Sequence, residues 1–261
     1  MTVIVVNPSA ASSSGCRIGY ENLLELGTVV ASSENASYPV ENAYDWVASD
    51  YFRPAAGGSV TITLTLSAGR AANYFAFYGQ DVHESSGSLS LEYHNGTSWV
   101  QVAGVSPADN SPRMVCFDSV TATQWRVVVT ASTTFNLACV AFGTYLELPY
   151  GQYLGWTPPK LGRSAEFINS VSDGGTFLGR SYVSQGVSVD LVLQYASDSW
   201  VRTYWLPFHQ HMERKPFFFC PDYNSYPSDA VFCWAEGSIN PPSHTHYGFM
   251  GTTVKLRGVM E

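Results

Sequence analysis

Two histidine pairs, His209-Gln210-His211 and His244-Thr245-His246, have a spacing that an extended strand converts into two imidazoles on one side, the start of a metal site. Neither pair has cysteine or carboxylate partners at ligand spacing. The first falls at the end of an expected helix, where i and i+2 diverge, so both pairs read as helix-end and loop histidines. The five cysteines, Cys16, Cys116, Cys139, Cys220 and Cys233, are an odd number without a C-x-x-C and read as reduced core residues. Asn42 and Asp45 are oxygen donors without a full calcium set around them. No G-x-S-x-G, H-E-x-x-H or phosphate-loop string occurs, so the chain reads as a non-enzyme that needs no metal and no cofactor.

Charge narrows the partners. Charged residues make up 13% of the chain against about 25% in ordinary soluble proteins. Residues 1–147 hold 12 acidic and 5 basic residues, net −7, and residues 148–261 hold 9 and 8, net −1. Clustered basic residues are missing, which argues against nucleic acid. No apolar run reaches membrane-spanning length, and the N-terminus has no positive leader, so synthesis in a cytosol is the expectation.

The elements that must position any site are mostly strands. Residues 59–66 alternate strictly, with Val60, Ile62, Leu64 and Leu66 on one face and three threonines on the other. Residues 73–79 form a second strand. Residues 88–93 and 99–102 flank Asn95-Gly96 and predict a hairpin, and residues 124–130 and 137–148 complete an antiparallel sandwich. The segment 148–159, with three prolines, two glycines and several aromatics, reads as a packed seam between two domains. Beyond it, residues 163–172 and 176–184 predict a hairpin around Asp173-Gly174-Gly175. Val187, Val189, Leu191, Leu193 and Tyr195 share one strand face. Ser197-Asp198 caps the one expected helix, with Pro207 kinking or ending it. Residues 217–220, 230–235 and 252–259 are further strands, and 239–247 a Pro/His loop. A short strand is expected at residues 3–6. The fold class is mainly β: an antiparallel sandwich followed by a second β-rich domain with one helix, divided as 1–28 (strand and arm), 29–148 and 149–261.

The order SSENASYPVENAYDW, VTITLTL, GSLSLEYHNGTSWVQV, then QWRVVVT with VAFGTYLEL resembles the discoidin family of galactose-binding-like sandwiches. The resemblance implies ligand-binding loops at one end, which map onto Tyr44, Asp45, Trp46, Tyr51, Phe52 and Arg53, with His83 and Glu84 from a neighbouring loop. Trp46 and Phe52 read rather as plugs closing the sandwich, since large aromatics are usually buried. Such folds also serve as spacers, so weak or absent sugar binding is the expectation.

The succession GWTPPKLGR, GGTFLGRS, WVRTYWLPF, RKPFFFC and VFCWAE across residues 150–261 resembles the C-terminal part of tail-tip and baseplate proteins of tailed bacteriophages, including distal tail proteins. That implies a ring-forming structural subunit of a virion, with itself and other tail proteins as partners, and a host glycan as a further partner. The residues expected to carry assembly are Trp200, Arg202, Tyr204, Trp205, Phe208 and Phe217, aromatic and Arg types that favour interfaces. The alternative is a glycan-binding adhesion protein acting through the sandwich.

Overall fold

The computed structural model describes residues 14–152 and 155–259. The strand expected at residues 3–6, and Tyr153-Leu154 of the seam, lie outside the described residues. In chain order the strands are β1 (Arg17–Gly19), β2 (Thr28–Ala31), β3 (Gly58–Gln80), β4 (Ser88–His94), β5 (Trp99–Val105), β6 (Arg113–Ala131), β7 (Leu137–Gly143), β8 (Leu146–Glu147), β9 (Arg163–Val171), β10 (Phe177–Ser197), β11 (Phe217–Cys220), β12 (Val231–Ala235), β13 (Ser243–His246) and β14 (Phe249–Val259). One helix, α1, runs through Asp198–Trp200, Val201–Trp205 and Leu206–Met212. The protein is mainly β, with two antiparallel sheets.

The first sheet folds on itself into the sandwich. β3 and β6 pair along most of their lengths, but the register shifts between Thr65 and Arg70, where both strands pass from one layer to the other. The strands expected at 59–66 and 73–79 are therefore two halves of one element. The first layer contains β2, the first half of β3, the second half of β6, β4 and β5; the other contains the remaining halves and β7. Val60, Ile62, Leu64, Leu91, Trp125, Val127 and Val129 face Phe75, Phe77, Phe117, Val140 and Phe142 across the core. The hairpin at 94–99 closes with the Asn95 N–H donating to the Ser98 carbonyl at 3.0 Å, and Gly96 supplies a φ of +96°.

The second sheet runs in the order β8-β1-β11-β12-β14-β10-β9, with β13 added on β14. Two of its strands, β1 and β8, come from residues before the seam. Its central strands are apolar on both faces because both are covered. Phe217, Phe219, Val231 and Cys233 face α1, while Phe218, Cys220 and Phe232 face the outer side of the sandwich, where Tyr74, Ala76, Met114, Cys116, Cys139 and Ala141 receive them. The molecule is thus layered as sheet, sheet, sheet and helix. All five cysteines are buried and free.

Ser197 caps α1, its hydroxyl accepting from the Trp200 N–H at 3.3 Å. Pro207 neither ends nor breaks the helix. The preceding turn is π-helical, with the Leu206 N–H bonded back to the Val201 carbonyl, and this wider turn takes up the proline. Val201, Trp205, Phe208 and Met212, at spacings of four, three and four, form its buried face.

That face corrects the expected assembly surface. Trp205, Phe208 and Phe217 are at most 1% exposed and belong to the domain's own core, with Phe208 meeting Phe217 edge-on at 4.9 Å. Trp200 is half-buried, and Arg202 and Tyr204 are exposed, Arg202 pairing with Asp198 at 2.7 Å. Two local readings also change. Tyr195 leaves the apolar face because β10 bulges between Leu193 and Ala196, with Tyr195 at φ +56°, and Ala196 turns inward instead. Residues 243–246, expected as loop, pair with β14.

Candidate functional site

Phe52 anchors the site. Its N–H and C=O both bond to Leu137, each at 3.0 Å, and its ring is fully buried, meeting Phe135 edge-on at 6.1 Å. Alternation along an extended backbone then turns the neighbours, Tyr51 and Arg53, to the opposite side. The Arg53 N–H donates to the Tyr38 carbonyl and its carbonyl accepts from Asn35, which brings residue 38 alongside.

The outward side chains assemble a compact polar surface. Tyr38 and Tyr51 stack at 4.8 Å with 12° between planes, and the Arg53 guanidinium carbon lies 4.7 and 5.2 Å from the two ring centroids. Arg53 Nε donates to Asn136 Oδ1 at 2.8 Å. Asn136 in turn donates from its backbone and side-chain nitrogens to the two oxygens of Asp81, at 2.6 and 2.8 Å. The chain Asp81, Asn136, Arg53 fixes the guanidinium's plane and engages Nε, while the half-buried position keeps it within reach of solvent. The Tyr51 phenol is held above its ordinary pKa, first by the hydrogen bond with the Tyr38 side chain, so it is protonated near pH 7.

The expected ligand residues separate. Tyr51 and Arg53 come together here. His83 lies two residues after Asp81 in a short 3-10 turn, and its Nδ1 is buried without a hydrogen-bond partner among the described residues. Glu84 is exposed beside it. Phe52 acts as the plug. Trp46 also points inward, 3% exposed, in the layer between the sandwich and the second sheet. Its indole stacks with Phe232 at 6.5 Å, meets His211 edge-on at 5.3 Å and donates to Glu25. Tyr44 packs on the sandwich core, and Asp45 accepts from the Val47 N–H at 2.8 Å. Burial raises the pKa of both.

Tyr38, Asp81 and Asn136 were missed in the sequence. Their only signal was type and place: an aspartate at the start of one loop, an asparagine at the end of another and a tyrosine before Pro39.

The histidine pairs hold nothing between them. His209 lies 3.3 Å from Glu213, while His211 contacts the Pro216 carbonyl at 2.8 Å. His244 and His246 are exposed. Among the described residues no three His, Cys, Asp or Glu side chains converge on a metal position, and no helix is long and apolar enough to cross a membrane.

No protein-family model and no curated protein matches the sequence. Among solved structures, CpGH89CBM32-5 from Clostridium perfringens, in complex with GalNAc-β-1,3-galactose, is 15% identical; the match covers 44% of this chain and 94% of that one, with a TM-score of 0.39. A chitosan-binding module from a chitosanase/glucanase of Paenibacillus sp. IK-5 is 21% identical over 47% of this chain and 98% of its own, with a TM-score of 0.40. A pectin-binding carbohydrate-binding module is 17% identical over 45% and 89%, with a TM-score of 0.38. Each of these matches covers just under half of this chain.

Proposed function

We propose that the protein is a glycan-binding module, acting without turnover through the surface made by Tyr38, Tyr51, Arg53, Asp81 and Asn136. The observation that supports this reading is the fixed guanidinium, laid on two stacked tyrosines and held by an amide that a carboxylate orients.

A sugar presents neighbouring hydroxyls and an apolar C–H face. Arg53 offers donors in a rigid fork to adjacent hydroxyl oxygens, and the tyrosine hydroxyls both donate and accept. Asp81 spends both oxygens on Asn136, so it is a positioning residue. The net charge of −7 over residues 1–147 disfavours polyanionic glycans and points to neutral ones.

Full-length protein on an array of neutral oligosaccharides, followed by calorimetry on the best ligand, tests the reading. Binding lost in Arg53→Ala, with the melt unchanged, is the expected result. Absence of binding to any neutral glycan, or equal binding by the variant, would refute it.

A further inference from the structure

Residues 163–183 form a two-stranded ribbon that the rest of the described chain leaves uncovered. β9 is exposed at all nine positions and is the terminal strand of its sheet. On one face Phe167 meets Tyr182 edge-on at 6.4 Å, and the Arg180 guanidinium lies 3.6 Å from the Phe167 centroid while donating to Asn169 at 2.9 Å. Ile168, Val171, Phe177, Leu178, Tyr182 and Val183 are each between 55% and 66% exposed. Phe167 and Tyr182 lie on one face and Ile168, opposite Ser181, on the other, so both faces of the ribbon present apolar side chains to solvent.

Two observations select the occupant. The ribbon carries Arg163, Glu166, Asp173 and Arg180, a net charge of zero, so identical copies do not repel there and a polyanion finds no counter-charge. The outer edge of β9 has neither the proline nor the lysine with which soluble proteins block strand addition.

We infer that two copies of this chain associate through the ribbon, β9 pairing antiparallel with β9 of the second copy and the Phe167–Tyr182 faces packing around that seam. Pairing one edge with itself is twofold symmetric and closes at two copies. Glycan binding plays no part in this interface, so either inference stands or falls alone.

Sedimentation of the full chain from about 1 to 100 μM should show a monomer–dimer equilibrium, and the variant Ile168→Lys/Phe177→Asp/Tyr182→Lys should raise the dissociation constant by at least about 100-fold. The three side chains lie outside the core, so the thermal melt should stay within a few degrees of wild type. In wild type, β9 amides should exchange more slowly at the higher concentration. A wild type monomeric at 100 μM, a variant as dimeric as wild type, or β9 exchange independent of concentration would each overturn the inference.

Discussion

Asn136 is bonded to both oxygens of Asp81, and its remaining side-chain oxygen accepts from Arg53 Nε at 2.8 Å. The amide orientation is therefore dictated from behind, and the guanidinium's from the amide.

If that relay sets recognition, Asp81→Ala should weaken glycan binding by about tenfold without touching ligand, because Asn136 becomes free to turn. Arg53→Lys should lose at least as much, since an ammonium lacks the planar fork. Calorimetry on both variants measures this. Asn136→Asp, which keeps the acceptor, should retain more affinity than Asn136→Ala.

Trp46→Ala should act on stability and not on the sugar. Its indole fills the layer between the sandwich and the second sheet, so truncation should cost about 3–5 kcal/mol. A urea melt should show the loss, with glycan affinity in the folded fraction unchanged.

Gly19→Ala should also destabilise, by about 1–3 kcal/mol, because a β-carbon there would lie 2.6 Å from the buried Tyr74 ring. The Tyr74 hydroxyl is bonded to the Glu21 carbonyl, so the ring cannot swing aside without losing that bond. Differential scanning calorimetry would record a lower melting temperature.

Acid should weaken the fold through His211. Burial lowers its pKa, with the Lys215 charge adding to the effect and the Pro216 carbonyl and Glu25 opposing it. The unfolded chain, with a value near 6.5, then binds the extra proton first. Stability from this group is complete above about pH 6.5 and declines as pH falls through the lowered folded value. The urea midpoint should drop between pH 7.5 and pH 5, and His211→Gln should drop less over the same interval.

The cysteines should be silent until the protein opens. Burial pushes the Cys116 thiol up to about 12, and Cys16, Cys139, Cys220 and Cys233 also rise by burial. A thiol reagent at pH 8 should label none in the native state and all five in denaturant.

Repetitive physics was legible in the sequence, and single contacts were not. Strict alternation from Val60 to Leu66 marked a strand because every second residue obeys the same burial rule. The capped helix was readable from Ser197-Asp198, although of Trp200, Tyr204, Trp205 and Phe208, which fall at helical spacing, only Trp205 and Phe208 are buried. Its role was misjudged, because composition cannot say which side of a ring is covered; Phe217 looked like an interface and is core. Tyr51 and Arg53 were placed by resemblance, but Asp81 and Asn136 join them only through a fold that brings residues 53, 81 and 136 together. Tyr195 escaped because a bulge is a local backbone event that leaves no period behind.

β1 lies one strand in from the edge of the second sheet, between β8 and β11, although its partner in β11 lies about 200 residues further along the chain. During synthesis Arg17–Gly19 emerges early and waits, while the sandwich can close long before Phe217–Cys220 exists. Contacts of such wide sequence separation are slow to form. The ribosome's pace therefore enters the folding of the second sheet: until the last quarter of the chain arrives, the outer face carrying Tyr74 and Cys116 has nothing to bury it, and that interval is when a chaperone would find the nascent protein.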